Sequence, residues 1–272
     1  MSSNNKRERM QREHAPLRDA LEQFAVTSSG DLSLAQRTRQ RLRRWEQLRQ
    51  QNLESIAAEA LSYLAEGGKS PAADWLAQFL DLAADIHAGP LRSLWARILV
   101  AESSRPGSFS LQTLRCLRQL TQRDANALRQ ALALRCRLGE SGGLQILSGW
   151  GTPLPWWQAL SQRRADTNLP LARYGLPPST VLALEELGML FNEEFGAGPF
   201  HPNDEIPLVI GNQRWLLVPR RPGTRLTYLR FTGVGEELAQ LLQTPTNSAY
   251  LQEVSDVLAG TFELRDHNLR MS

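Results

Sequence analysis

Hydrophobic positions between residues 74 and 86 recur at helical spacing. The apolar side chains follow one another at steps of four, three and four: Trp75, Phe79, Leu82 and Ile86. Polar side chains keep the same steps on another face: Asp74, Gln78, Asp81 and Asp85. Because an α-helix repeats every 3.6 residues, this alternation predicts an amphipathic helix with one buried and one solvated face.

Capping residues around this segment predict further helices. Ser70 and Pro71 are typical of a helix start, and Gly89 followed by Pro90 predicts that one helix ends and the next begins. Ser110 is the predicted cap of a third helix, and Thr121 with Asp124 fits the capping box of a fourth, which Gly139 can end. Short connections between these elements predict antiparallel neighbours in a helical bundle.

The last hundred residues combine helix and strand patterns. A helix is predicted from Pro178 to Leu187, a hairpin around Gly211-Asn212, a strand over residues 225–231 and a helix capped by Thr232. This order is typical of a winged-helix module. The predicted fold class is therefore mainly α, with a central helical bundle followed by a smaller α+β (winged-helix-like) C-terminal module. The predicted organisation is a polar lead-in over 1–33, a helical domain with a long basic first helix over 34–139, a Gly/Pro linker over 140–155 and the α+β module over 156–272.

Several short motifs resemble an uncharacterised bacterial family. They are D-W-x-x-x-F from Asp74, L-W-A-x-I-L from Leu94, P-G-S-F-S-x-x-T-L from Pro106, N-L-E-S-I-A from Asn52 and L-x-F-T-x-x-G-x-E-L from Leu229. Together they resemble the family catalogued as domain of unknown function 2806 and a related group of conserved hypothetical proteins. The resemblance implies a cytoplasmic bacterial protein with a helical centre and a mixed C-terminal part, and it implies no catalytic residue.

Composition supports a soluble protein. Hydrophobic residues make up 42% of the chain, which is enough for packed cores, and the first residues are polar throughout. No apolar run approaches the roughly 20 residues that a membrane-spanning helix needs. Cys116 and Cys136 lie in patterns that predict helices and form no disulfide framework, so we expect reduced, buried thiols in the cytoplasm.

Positive charge concentrates in the first part of the chain. Residues 1–52 carry 11 Lys and Arg against 6 acids, whereas residues 169–272 carry 8 against 12. The candidate anion- or nucleic-acid-binding residues lie on the predicted first helix: Arg37, Arg39, Arg41, Arg43, Arg44 and Arg49. Guanidinium groups match phosphate oxygens of nucleic acid or of an anionic lipid surface. The alternative is a solvated helix face, which is the commoner use of a charge run.

Charge argues against DNA reading by the predicted winged helix. The helix that would enter the groove, Pro178 to Leu187, has no Lys or Arg and carries Glu185 and Glu186. A helix that contacts phosphates needs the opposite sign. A basic wing remains open, with four candidates: Arg214, Arg220, Arg221 and Arg225.

Catalytic motifs are mostly eliminated. Gly139 to Gly143 matches G-x-S-x-G but follows a predicted helix, whereas a nucleophile elbow needs a preceding strand. Gly233 and Gly235 lack the rest of a phosphate loop, and the four histidines lack ligand spacing. We therefore predict no catalytic residue, metal or cofactor. Glu102 is a candidate buried charge on an apolar stripe, with Arg105 as its expected partner, and a structural role is favoured over general-base chemistry.

The leading functional hypothesis is a non-enzymatic, cytoplasmic protein-interaction module with an unidentified protein partner. The first alternative is a nucleic-acid-associated regulator that uses the N-terminal arginines and the winged-helix-like module. The second alternative is an undetected hydrolase or nuclease whose site is assembled only in the fold. The sequence leaves the oligomeric state open.

Overall fold

A computed structural model describes residues 32–64, 69–139, 142–152 and 165–266, together with residues 16, 17, 19, 21, 22 and 24. Most of the predicted lead-in, and the start of the predicted C-terminal module at residue 156, lie outside the described residues. Contacts within the chain divide it into two compact units, Met1–Gly107 and Ser108–Ser272. This division differs from the boundary predicted at residues 140–155.

The first unit contains three described helices: α1 Leu34–Tyr63, α2 Ala73–Ala83 and α3 Gly89–Ser104. Ser33 caps α1 through a capping box with Gln36, and Pro90 lies in the first turn of α3, as predicted. The buried side chains of α1 recur every four residues from the middle of the helix onward: Leu48, Asn52, Ile56 and Ala60. Before Leu48, no described side chain of α1 is buried.

Aromatic rings form the centre of this unit. The ring centroids of Trp75 and Phe79 lie 5.2 Å apart in a stacked arrangement, and Phe79 lies 5.2 Å from Trp95. Beside them, the Asn52 side-chain amide donates to the Ala84 carbonyl at 2.8 Å and Arg92 donates to the Asn52 amide oxygen at 3.2 Å. This buried amide thus links α1 to both of its neighbours, and buried polar groups need such partners.

The second unit combines five described helices with a sheet. The helices are α4 Leu111–Gln119, α5 Gln122–Ala133, α6 Pro178–Glu186, α7 Gly233–Leu241 and α8 Ser248–Thr261. The predicted N-caps are confirmed: Ser110, Thr121 and Thr232 each accept a hydrogen bond from a backbone N–H three residues on. Short-range hydrogen bonds of this kind are what sequence patterns predict best.

Eight strands form one antiparallel sheet in this unit. The strands are β1 Cys136–Leu138, β2 Gln145–Thr152, β3 Ala165–Asn168, β4 Leu190–Phe200, β5 Ile206–Ile210, β6 Gln213–Pro219, β7 Thr224–Phe231 and β8 Phe262–Asp266. Their order is β4-β7-β2-β1-β5-β6-β8, and β3 also pairs with β2. β2 therefore has β7 on one side and both β1 and β3 on the other.

The prediction of a mainly α protein with a small winged-helix-like module is wrong. The β5–β6 hairpin forms around Gly211-Asn212, as predicted, but β1 and β8 extend it on both sides into a large sheet. Two of the basic-wing candidates occupy separate strands, Arg214 on β6 and Arg225 on β7. The overall class is mixed α and β, because strand pairs form between segments that are distant in sequence.

Two local assignments differ for the same reason. Cys136, expected on a helix, lies in β1, and residues 145–152 of the predicted 140–155 linker form β2. Gly149 has a packing role there, because a Cβ atom on it would lie 2.7 Å from the Thr167 carbonyl oxygen. Glycine in a strand often marks such a close backbone approach rather than a linker.

Candidate functional site

All six candidate arginines lie on α1, but they do not share one face. The side chains of Arg37, Arg39, Arg41 and Arg43 are exposed, whereas those of Arg44 and Arg49 are half-buried. Residues two apart on a helix project to nearly opposite sides. The helix therefore separates Arg37 and Arg41 from Arg39 and Arg43.

Arg49 has a structural position. Its guanidinium lies 3.1 Å from the Asp81 carboxylate, 3.3 Å from that of Asp85 and 3.7 Å from that of Glu46. The first two carboxylates belong to α2 and the segment that follows it. Because three acids surround Arg49, it holds α1 to its neighbour, and its charge is less available to a ligand than that of an exposed arginine.

Three of the remaining arginines line one groove. The groove has a volume of about 770 Å³, and Glu22 and Leu32 also contribute to its lining. We call it the arginine groove and define it by its residues on α1: Gln36, Arg39, Gln40, Arg43, Arg44 and Gln47. These positions follow one another at steps of three, one, three, one and three. Such spacing places all six side chains on one side of the helix.

The arginine groove is rich in hydrogen-bond donors. Guanidinium and carboxamide groups both donate to phosphate oxygens, and guanidinium adds a permanent positive charge. In the described part of the chain, no ion pair is found for Arg39 or Arg43, and Glu22 is the only acid that lines the groove. The groove can therefore hold an anion without first breaking an ion pair of Arg39 or Arg43.

An aromatic cluster lies elsewhere on α1. Trp45 is 39% exposed, its ring centroid lies 5.4 Å from that of Phe24, and Phe24 in turn lies 5.2 Å from the His87 ring. Trp45 is two residues before Gln47 and so projects away from the arginine groove. The donors of the groove thus suit a phosphate backbone better than stacked bases, which need aromatic platforms.

Glu102 is buried within the first unit, with 3% of its surface exposed. One oxygen of its carboxylate accepts a hydrogen bond from the Gly107 backbone N–H at 2.7 Å. Gly107 has a φ of 84°, which favours glycine, and it follows the end of α3. The carboxylate thus fastens the turn that closes α3, which supports the structural role favoured for it.

A pocket in the second unit was not predicted from the sequence. It has a volume of about 390 Å³ and is bounded by β2, β4, β7, α6 and the 3₁₀ turn Leu171–Tyr174. Its polar lining is Ser148, Asn168, Glu185 and Glu194, and its apolar wall includes Leu169, Leu171, Leu176 and Val181. We call it the carboxylate pocket. Neighbouring glycines in β2 were the available signal, but they suggested a linker.

A β-bulge positions Ser148 in this pocket. The register of β2 against β7 shifts between Leu147 and Gly149, so Ser148 falls outside the regular ladder. Its side chain is buried, donates a short hydrogen bond to the Glu194 carboxylate and lies 3.1 Å from the Thr227 hydroxyl. Bulges commonly re-aim a side chain beside functional sites.

The thiols and the other ionisable groups form no metal site in the described residues. Burial raises the pKa of Cys136 to about 12 and that of Cys116 to about 11, so both are protonated thiols near neutral pH. Among the residues that the structure covers, no group of three His, Cys, Asp or Glu side chains has the geometry to hold a metal ion. Likewise, no described helix is long and apolar enough to cross a membrane.

Comparison with known protein families gives one match. One family model matches residues 36–255, which include nearly all of α1 and every strand except β8. The description of that family is "Protein of unknown function (DUF2806)". Neither a curated protein nor a solved structure matches the chain significantly.

Proposed function

The chain belongs to the family described as protein of unknown function (DUF2806), and we propose that it is a non-enzymatic binding protein whose arginine groove contacts the phosphate backbone of nucleic acid. The observation that carries the proposal is the alignment of Arg39, Arg43 and Arg44 with three glutamines along one side of α1. Phosphate contacts of this kind position a protein on nucleic acid without reading its sequence.

The dimensions of the groove suit a linear polyanion. Arg39 and Arg44 are separated by five residues, which is about 7.5 Å along the helix axis. Before Leu48 no described side chain of α1 is buried, and Arg39 and Arg43 are exposed to solvent, so a polyanion can reach both guanidinium groups. Each phosphate contact releases condensed counterions, which supplies affinity without a closed cavity.

Two other polyanions fit the charge less well. A lipid surface takes up apolar side chains, and Leu32 is the one apolar residue that lines the arginine groove, since the exposed Leu34 and Leu42 of α1 lie outside it. A protein partner is the hypothesis favoured from the sequence, and at this surface it would have to be acidic and would bury several guanidinium groups in ion pairs. Glutamine adds less to such pairs than to the mixed phosphate and sugar acceptors of nucleic acid.

Fluorescence anisotropy with labelled single-stranded RNA and duplex DNA tests this proposal. The double variant Arg39→Gln/Arg43→Gln removes two charges from the groove and keeps the helix, because glutamine and arginine have similar helix propensities. We expect the slope of log K against log salt to fall by about 1.4 to 1.8, which corresponds to two lost phosphate contacts. Wild-type protein that binds neither probe at about 50 mM NaCl would refute the proposal.

The matched control is Arg37→Gln/Arg41→Gln, on another side of the same helix. It removes the same charge, and we expect it to change the salt slope by about half as much or less. Equal losses in the two variants would show that the whole helix attracts the polyanion and that the groove has no special role. Binding of polyglutamate or phosphatidylserine vesicles, with nucleic acid left unbound, would instead support an acidic protein or a membrane.

A further inference from the structure

The carboxylate pocket has two acidic groups and no basic residue in its lining. Glu194 lies on β4 and Glu185 on α6, so two different elements contribute the charges. Within the described residues, neither carboxylate has an ion pair, and the one side-chain hydrogen bond of Glu194 comes from Ser148. Among the residues that the structure describes, no cation compensates the negative charge of the pocket.

The rest of the lining of the pocket is largely apolar. It includes side chains from α6, from the 3₁₀ turn and from the residues on either side of that turn: Leu169, Pro170, Leu171, Leu176, Val181 and Leu182. Leu182 is 54% exposed, which is unusual for a large aliphatic side chain beside a cavity. A ligand that covered this wall would remove apolar surface from water, at about 25 cal/mol per Å².

Ser148 contributes a buried hydroxyl to the lining of the pocket, and Gly149 follows it on β2. The Ser148 hydroxyl donates to the Glu194 carboxylate, and Gly149 leaves room for the Thr167 carbonyl, the Asn168 side chain and the Thr227 hydroxyl around its own backbone. A Cβ atom on Gly149 would lie 3.0 Å from both the Asn168 amide oxygen and the Thr227 hydroxyl oxygen. Ser148 thus orients the Glu194 carboxylate, and because Glu194 is exposed to solvent a ligand can reach it.

We propose that the carboxylate pocket binds a cationic group carried on a short apolar body, such as an alkyl amine or the side chain of a basic residue flanked by apolar residues. The ammonium or guanidinium group pairs with Glu194 and Glu185, and the apolar body of the ligand covers the apolar side chains of the lining. The volume of about 390 Å³ lies in the range of small-ligand sites. This site and its ligand are independent of the proposed nucleic-acid binding.

Isothermal titration calorimetry with pentylamine and with its neutral counterpart 1-pentanol tests the charge requirement. We expect pentylamine to bind with a millimolar or lower Kd and pentanol at least about tenfold more weakly, because the alcohol cannot form the ion pairs. Equal affinities for the two compounds would overturn the proposal. So would the absence of binding by either compound at a concentration of about 10 mM.

Two glutamate substitutions test the location, each with a matched control. Glu194→Gln retains an acceptor for the Ser148 hydroxyl, so the fold should persist, and we expect pentylamine affinity to fall about tenfold. Glu193→Gln, at the adjacent position on β4 and outside the lining of the pocket, should leave the affinity unchanged. The second pair is Glu185→Gln and its exposed neighbour Glu186→Gln on α6. A control that loses as much affinity as its partner would overturn the assignment of the site.

A capped peptide with one lysine between leucines distinguishes a peptide ligand from a small amine. If the natural ligand is a peptide, we expect the capped lysine peptide to bind more tightly than pentylamine, and its affinity to fall in the Glu194→Gln variant. If pentylamine binds more tightly than the peptide, the pocket accepts free amines. Either order of affinities is consistent with a cationic ligand. Peptide binding that persists in both Glu194→Gln and Glu185→Gln would exclude recognition of the cation by these carboxylates.

Discussion

The arginine groove and the carboxylate pocket place charge on the protein in two different ways. The arginines project from the side of a helix, and four of the six are exposed. The carboxylate of Glu194 is held by a buried serine at a bulge between two strands. The first surface has charge with little constraint, whereas the second has charge at a position that the backbone defines.

This difference separates affinity from specificity. A helix face that carries guanidinium groups attracts any polyanion, and its strength follows the number of charges and the salt concentration. A pocket with an apolar wall and an oriented carboxylate rejects ligands of the wrong shape or charge, because they leave polar groups unpaired. Mutations should therefore act by charge alone in the first surface, and by charge and geometry together in the second.

The largest effect is expected from Gly149→Ala. The new Cβ atom would lie 2.7 Å from the Thr167 carbonyl oxygen, so β2 and β3 must separate. We expect the free energy of unfolding of the second unit to fall by about 2 to 3 kcal/mol, together with amine binding. Urea unfolding measures this, and Gly196→Ala is the control because its nearest atom would be 3.9 Å away. A Gly149→Ala protein as stable as Gly196→Ala would contradict the proposed geometry.

Salt should separate the two surfaces next. Raising NaCl from about 50 to about 200 mM should weaken nucleic-acid binding roughly 20- to 40-fold if three phosphates are contacted. Amine binding should change by less than about threefold, since it has a single cation and part of its free energy is apolar burial. Anisotropy and calorimetry at matched salt concentrations measure both. Similar salt dependence at the two sites would remove the distinction.

Alkaline pH should destabilise the interior behind the pocket. Cys136 on β1 is buried, and burial also raises the pKa of Tyr250, whose hydroxyl donates to the Leu147 carbonyl at 3.0 Å. The thiol has a pKa of about 12 in the fold, against 9.0 ordinarily. Since the folded pKa is the higher one, the stabilisation is complete below about pH 9 and is lost as pH rises toward 12.

The size of this effect can be measured by urea unfolding at about pH 7.5 and about pH 10. One pH unit above the ordinary thiol pKa corresponds to a loss of about 1.4 kcal/mol from Cys136. Cys136→Ala should show a correspondingly smaller decrease, even if its stability at neutral pH is lower because of the cavity. An identical pH dependence in both proteins would assign the alkaline loss to other groups.

The smallest effect is expected from the arginine groove itself. Arg39→Gln/Arg43→Gln should change the free energy of unfolding by less than about 0.5 kcal/mol, because both side chains are exposed and glutamine keeps the helix. Asn52→Ala on the buried stripe of the same helix should cost about 1 to 3 kcal/mol, since it leaves the Ala84 carbonyl unpaired. If the arginine variant were the less stable of the two, the groove would have a structural role.

Local patterns account for what was predicted. The helix expected at Asp74 is α2, and the caps at Ser110 and Thr121 form as expected, because each depends on residues within a few positions. The groove was within reach of the same reasoning, since the spacing of Gln36, Gln40 and Gln47 with the arginines is visible in the sequence. By contrast, Arg49 differs from the other arginines because it forms ion pairs with Asp81 and Asp85. These two residues are distant from Arg49 in sequence and approach it only in the folded protein.

Long-range pairing accounts for what was missed. Cys136 of β1 pairs with Ile210 of β5, and Trp150 of β2 pairs with Leu226 of β7, across long stretches of sequence. Alternation within one strand cannot identify its partner, so a hairpin was recognised and a sheet was not. The pocket was missed for the same reason, because Ser148 and Glu194 are brought together by β7, which pairs with both of their strands.

The strand order places β4 and β8 at its two ends. β4 carries Glu193, Glu194 and Pro199, and β8 carries Glu263, Arg265 and Asp266. Charges and proline on an outer strand oppose the addition of a strand from another molecule, which would otherwise continue the ladder. Glu194, which contributes charge to the pocket, thus also helps to protect the edge of the sheet from intermolecular aggregation. Replacing Glu193 and Glu194 with neutral residues should therefore make the protein aggregate sooner at high concentration.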